Sequence, residues 1–269
     1  MALRDVTLGQ YFPGDSLIHR FDPRAKLIFT LFYLATIFLA KHILSYGIML
    51  AILITGIALS RIRFSVFRRG LKPIMLLVLF TVILNLFFTT GGETIFAWKA
   101  LVITTGGAWH AFFMLLRITM LLLSTLLLTY TTSPLMLTDG LDRLMQPLKV
   151  LRVPVHDFTM IMSIALRFIP TLIAETDKII SAQKARGADF DSGNLIRRAK
   201  ALIPILVPLF ISAFRRAEEL SIAMDSRCYR GGEGKTRLKQ LKFRGKDFCL
   251  LLFSVLLFAG MLVLRHFGL

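Results

Sequence analysis

The sequence predicts an all-α, polytopic integral membrane protein with about five transmembrane helices and long amphipathic helices held in the cytoplasm. Three observations carry that expectation. Hydrophobic residues make up 55% of the 269-residue chain, 23 of them phenylalanine, and mean hydropathy is +0.69; soluble domains rarely exceed half apolar. Apolar runs of roughly membrane length recur along the chain. Between the fourth and fifth runs lies a basic polar segment, residues 133–247, with 20 Lys+Arg against 12 Asp+Glu.

Residues 1–25 are polar and lack the apolar core of a cleavable signal. They are expected to form a cytoplasmic N-terminal segment, with the first span acting as its own insertion signal. Residues 26–132 are expected to hold four transmembrane helices. The runs are Lys26–Ile43 and Leu44–Ser60, a tight hairpin joined near Lys41-His42, then Ile74–Thr90 and Ala111–Thr132. Residues 248–269 form the last span, with its apolar run at Phe248–Phe267. Charge orients the set. Arg4, Arg20, Arg24 and Lys26 lie at the start of the first run, and Arg61, Arg63, Arg68, Arg69 and Lys72 separate the second from the third. The other connections hold only Lys41 and Lys99. The positive-inside bias then puts the N-terminus and residues 133–247 in the cytoplasm. Charges gathered in particular connections also account for the net +17 without a nucleic-acid partner.

Within the polar segment, Ser133-Pro134 opens a short helix to about Pro147, proline suiting its first turn. From Phe158 the three-four rhythm of apolar and small residues predicts a helix over about 155–187, stopped by Gly187. A second, over about 194–229, has a stripe of Leu195, Ala199, Leu202, Leu206, Leu209, Ala213, Ala217, Leu220 and Met224, ending at Gly231-Gly232. Each would be roughly 50 Å long at ~1.5 Å per residue. The apolar core Ala201–Phe214 has 14 residues, short of the ~20 needed to cross, and Arg197, Arg198, Lys200, Arg215 and Arg216 flank it. Only Arg167 interrupts Phe158–Ile173; there the count of crossings decides, because one more would push Arg197–Arg244 outside. Pro170, Pro204 and Pro208 lie inside these helices. Either they bend the rods, or neighbours re-satisfy the carbonyls they free.

Catalytic residues are not expected: no Ser/His/Asp grouping or paired aspartates occur within the spans. Two cysteines, Cys228 and Cys249, and five scattered histidines give no metal-ligand spacing. Gly234-Lys235-Thr236 matches the end of a P-loop, but Tyr229 stands where its first glycine belongs and a helix precedes it. The stretch reads as a basic turn. No Asp or Glu lies inside a span to hold a coupling ion. Arg117 either snorkels to the outer interface or bonds carbonyls or Asn85. The sharpest features are two arginines that close the two long helices, in Ala185-Arg186-Gly187 and Ser226-Arg227-Cys228. Each complements a helix macrodipole, and on a rigid tip each could pair bidentately with a carboxylate in a narrow groove.

With these motifs, the run Gly9-Gln10-Tyr11-Phe12-Pro13-Gly14-Asp15-Ser16-Leu17-Ile18-His19-Arg20-Phe21-Asp22-Pro23-Arg24-Ala25-Lys26 and Thr131-Thr132-Ser133-Pro134 make the chain resemble one known family. It is the transmembrane T component of energy-coupling-factor transporters, a branch of the ABC importers for vitamins and metal ions. Ala185-Arg186-Gly187 matches that family's first Ala-Arg-Gly motif. Ser226-Arg227-Cys228-Tyr229-Arg230-Gly231-Gly232 occupies the second, with Ser and Cys replacing Ala and Gly. The resemblance implies that residues 133–247 carry coupling helices crossing in an X. It implies that Ala185, Arg186, Gly187, Ser226, Arg227 and Cys228 dock on two cytosolic ABC ATPase subunits. A membrane-embedded, substrate-binding S component would face Phe168, Leu172, Pro204, Leu206, Pro208 and Phe210. Further implications are a multi-pass place in the bacterial plasma membrane and no cofactor on this chain, ATP and Mg belonging to the ATPase subunits. Selection of the vitamin or other micronutrient would fall to a different polypeptide. Two rivals stand beside this reading: a secondary transporter or channel acting alone, and a membrane scaffold binding acidic lipid through its basic helices.

Overall fold

The expected apolar runs are helices in the structure, a computed structural model that describes residues 11–89, 91, 93–98, 101–151, 154–188, 190, 194–231 and 243–267. They are α1 (Pro23–Leu39), α2 (Ile43–Ser60), α3 (Phe64–Phe88), α4 (Thr105–Thr131) and, last in the chain, α8 (Gly245–His266). Between α4 and α8 come α5 (Pro134–Met145), a 3-10 turn at Gln146–Leu151, α6 (Val155–Ala185) and α7 (Leu195–Ser226). The Cα framework divides into two compact units, one built on Gly9–Gly140 with Leu241–Leu269 and the other on Leu141–Gln240.

Local chemistry sets several helix starts. The Asp22 carboxylate accepts from Arg24 N–H at 2.9 Å and Pro23 takes the first turn, so α1 opens with both an acceptor cap and a preset φ. Thr104 caps α4 by accepting from Gly107 N–H at 3.1 Å. Asp247 accepts from Arg244 N–H at 2.8 Å to start α8.

Two features depart from the expected layout. α3 begins at Phe64, ten residues before Ile74, so Arg68, Arg69 and Lys72 lie in its first turns rather than in a loop. Hydropathy stops where charge begins, whereas a helix can run on from hydrocarbon into the headgroup layer. The connection from α3 to α4 holds an antiparallel hairpin, β1 (Thr94–Trp98) with β2 (Leu101–Thr104), in which Trp98 pairs Leu101 and Thr94 pairs Thr104.

By length and composition, α2, α3, α4, α6 and α8 could each cross a membrane. α1, with 17 residues, is not in that set. α6 takes its place, though its mean hydropathy of 1.5 is below the 2.2 to 2.5 of the other four.

In the first unit the helices alternate in direction. Lys26 Nζ, at the start of α1, donates to Thr131 O at 3.0 Å and Thr132 Oγ1 at 3.2 Å, at the end of α4. Asp22 N–H donates to Asp247 Oδ1 at 2.8 Å, tying α1 to the start of α8. Phe67 near the start of α3 meets Tyr130 edge to face at 5.3 Å. One end of the bundle therefore gathers Arg20, Arg24, Arg61, Arg63, Arg68, Arg69, Arg244 and Lys246, while the other carries the hairpin and Lys41. Gly140, the last residue of the first stretch of this unit, and the start of α8 at Gly245 both belong to the basic end. A Cβ on Gly140 would touch Pro23 of α1.

The resemblance-bearing N-terminal run, as far as it is described, is part of that end. His19 shares a 2.6 Å hydrogen bond with Ser16 Oγ and a 2.9 Å contact with Phe12 O, and Phe12 N–H donates to Tyr130 O at 3.0 Å. Gly9 and Gln10 lie outside the described residues. The core of the bundle is aromatic: Tyr33, Tyr46, Phe67 and Tyr130 are almost wholly buried with Ile37, Met49 and Met120. Arg117 donates from Nε and Nη2 to the Tyr46 hydroxyl at 3.0 and 2.8 Å, beside the Phe38 ring. Asn85 instead donates to Thr81 O, within its own helix.

Candidate functional site

Within the second unit, α6 and α7 run antiparallel, as their cross-contacts show. Gln183 Nε2 donates to Pro204 O at 3.4 Å, Ser212 Oγ donates to Glu175 Oε1 at 2.7 Å, and Tyr229 lies against Met160 with its hydroxyl 2.9 Å from Sδ. As one residue number rises the other falls by a similar amount. The start of α6 is fixed by Thr159, whose hydroxyl donates at 2.7 Å to the buried Asp142 of α5.

These contacts give the helix prolines a role. Pro208 has no N–H, so the carbonyl four residues back, at Pro204, loses its helical donor. Gln183 of α6 supplies a replacement at that carbonyl. Further along, Glu175 receives both Ser212 and the Arg216 guanidinium, an ion pair with side-chain exposures of 25% and 33%. The Ser212 hydroxyl, followed by the Arg216 charge, holds the Glu175 carboxyl below the usual carboxylate range. Sequence periodicity did not single out Gln183, Ser212 or this pairing.

Both rods end in the same backbone motif. At α6, Gly187 N–H donates to Lys184 O and Ala188 N–H to Gln183 O, each at 3.0 Å, with Gly187 at φ +85°. At α7, Cys228 N–H donates to Asp225 O at 2.9 Å and Tyr229 N–H to Met224 O at 3.0 Å, with Cys228 at φ +55°. Each is the paired C-terminal lock in which one left-handed residue turns the chain off the helix axis. The second helix was expected over about 194–229, with Gly231-Gly232 as its stop; it ends at Ser226 because Cys228 takes the left-handed position in place of a glycine.

Arg186 and Arg227 occupy the same place in the two locks, immediately before the left-handed residue. Both are exposed, and neither has an ion pair or a side-chain hydrogen bond among the described residues. Since α6 and α7 are antiparallel, the arginines stand at opposite ends of the pair, about 38 Å apart along its axis, because the cross-contacts set Arg227 level with about residue 161 of α6 and each residue rises ~1.5 Å. Ala185, Gly187, Ser226 and Cys228 beside them are also exposed. They leave each guanidinium unobstructed for a planar acceptor.

The outer face of α7 is apolar. Ile203, Leu206, Val207, Phe210, Ile211 and Phe214 are all exposed, Phe210 by 62% and Phe214 by 70%. Pro204 is exposed with them, whereas Pro208, Phe168 and Leu172 are half-buried. The inner face instead carries Ile205, Leu209, Ser212 and Arg216. The stripe expected from the sequence thus straddles two faces: Leu202 and Leu206 point out, Leu209 and Leu220 inward. On α6, Phe158 and Ile161 are exposed as well. Gly232 to Thr236, the segment resembling the end of a P-loop, lies outside the described residues. No group of three or more His, Cys, Asp or Glu residues that could hold a metal occurs among the described residues.

A family model described as cobalt transport protein matches residues 14–238. Among curated proteins, the chain is 51% identical over 247 residues to the energy-coupling factor transporter transmembrane protein of Clostridium kluyveri, covering 91% of this chain and 92% of that one. It is 48% identical over 263 residues to the protein so described in Acidaminococcus fermentans, covering 98% of each. The Bacillus subtilis protein of the same description is 46% identical over 260 residues, covering 97% of this chain and 98% of the relative.

Proposed function

The chain belongs to the family of energy-coupling factor transporter transmembrane proteins, and on that premise we propose that it is the non-catalytic coupling subunit of an ATP-driven importer. In this reading Arg186 and Arg227 each enter a carboxylate-bearing groove on one of two cytosolic ATPase subunits. Approach of the ATPases drives the ends of the α6–α7 pair, and a separate substrate-binding membrane protein resting on the exposed face of α7 is moved with them. That partner selects the vitamin or other micronutrient.

One observation carries the reading: two matching helix locks present arginines, without an ion pair among the described residues, at opposite ends of one antiparallel pair. A single docking partner would need only one such tip, and a twofold pair of partners needs two. The Gln183 and Glu175 contacts make the pair a braced unit able to pass on a push.

A cytoplasmic location for the pair is supported by counting crossings. The chain leaves and re-enters the bundle at the same basic end, so an even number of crossings lies between. α7 carries arginines on both sides of a short apolar core and is absent from the membrane-length set. With α7 on one side, α6 stays there too, and the basic end is the cytoplasmic one. The test is stoichiometry. Co-expressed with its ATPase subunits, the wild-type chain should purify with two of them. Arg186→Ala and Arg227→Ala should each weaken association by roughly the 2–5 kcal/mol lost when one partner of a buried charge pair is truncated. Two ATPases retained at wild-type strength by both variants would remove the docking role.

A further inference from the structure

The first unit contains a cleft of about 470 Å³ between α1 and α2, floored by α4 and closed at one side by α8. That volume falls within the ~300–1,000 Å³ of small-molecule sites. Phe29, Tyr33, Leu53, Gly56, Leu128 and Phe253 form most of its wall. Most hydroxyls that line it are committed: Tyr33 donates to Met49 O, Thr55 to Ala51 O, Ser124 to Leu121 O and Thr131 to Leu127 O, with Thr30 the remaining hydroxyl of the wall. The Lys26 amine, at the basic end of the cleft, is engaged by Thr131 and Thr132. A water inside would find few partners, so the cleft suits a chain without polar groups.

Its mouth is different. Ile18, Phe21 and Leu59 form the rim at the basic end. Arg20 stands between the first two, and Arg61 follows two residues after the third. Both arginines are exposed and have no ion pair among the described residues. An apolar slot of this size, lying among membrane-length helices and rimmed by unneutralised guanidinium groups, has the charge layout of one lipid. We propose that the cleft holds an acyl chain of an anionic glycerophospholipid, with its phosphate at Arg20 and Arg61. The site is independent of the helix tips. It would hold α1 and α2 at a fixed separation while α4 bears on both.

Native mass spectrometry of the full-length chain in detergent tests this, with dioleoyl phosphatidylglycerol and dioleoyl phosphatidylcholine as probes that differ only in headgroup. The wild type should retain one phosphatidylglycerol about tenfold to thirtyfold better than phosphatidylcholine, as two basic residues near an anionic headgroup would give. Arg20→Gln with Arg61→Gln should bring the two lipids to parity. Ala51→Trp with Thr55→Trp fills the cleft from exposed positions and should abolish retention of both. If that pair disturbs thermal unfolding, Ala51→Phe alone serves, with a lesser loss. A diazirine-bearing acyl chain should label peptides of α1, α2 and α4. Equal retention of the two lipids by the wild type, retention unchanged by the aromatic substitutions, or labelling confined to other helices would each overturn the proposal.

Discussion

Exchanging the left-handed residues of the two helix locks should push them in opposite directions. Gly187 sits at φ +85° and Cys228 at φ +55°, a region that costs an L-residue roughly 1–2 kcal/mol. A Cβ at Gly187 would meet nothing within 4 Å, so Gly187→Ala adds the backbone cost and no clash. The lock should then open about 5–30 times more often, a 1.4 kcal/mol change being tenfold. Cys228→Gly removes the same kind of cost and should close the second lock by a similar factor. The amides to follow are the ones each lock buries in a hydrogen bond, Ala188 N–H to Gln183 O and Tyr229 N–H to Met224 O. Hydrogen exchange on the full-length protein in detergent should show faster exchange at Ala188 in Gly187→Ala and slower exchange at Tyr229 in Cys228→Gly. No change in the first variant, or shifts of the same sign in both, would refute the backbone account.

Four further outcomes follow from the contacts. A double-mutant cycle on Glu175→Ala and Arg216→Ala should give only a small coupling, far below that of a buried ion pair, because both groups are partly exposed. Glu175 has a lowered pKa in the fold, so its contribution is present above the ordinary carboxylate pKa of ~4.3 and lost only as pH falls through the lower folded value; unfolding of the α6–α7 pair monitored from pH 6 to 8 should show no change from this group. Lys26→Met strands Thr131 O and Thr132 Oγ1 in the basic end of the bundle and should destabilise it by roughly 3 kcal/mol, read as a lower thermal midpoint in detergent. Leu206→Glu with Phe210→Glu places charge on the exposed face of α7 and should abolish co-purification of the substrate-binding partner while leaving the ATPases attached.

Much of the layout was legible because membrane helices declare themselves by length and charge. The two rods, expected over about 155–187 and 194–229, are helices at Val155–Ala185 and Leu195–Ser226, since a long three-four rhythm bounded by proline and glycine leaves little choice. The start of α3 was hidden by Arg68, Arg69 and Lys72, which mark the edge of the hydrocarbon and not the edge of the helix. The outward face of α7 was ambiguous because its core is apolar all round; only the partners Gln183 and Glu175 decide which side turns in. The role of Asp22 needed a residue 225 positions away, Asp247, and no local pattern reports such a closure. Cys228 in place of glycine looked like a departure from a motif, yet the backbone bonds of the two locks are the same.

The central claim is that force reaches the membrane through two arginine tips at the ends of one braced helix pair. The most direct measurement is ATP-driven substrate uptake by proteoliposomes holding the complete complex, with Arg186→Ala and Arg227→Ala combined in this chain. The account expects the variant chain to insert and unfold as the wild type does while uptake falls to background. Uptake at the wild-type rate with both ATPases still bound would contradict it.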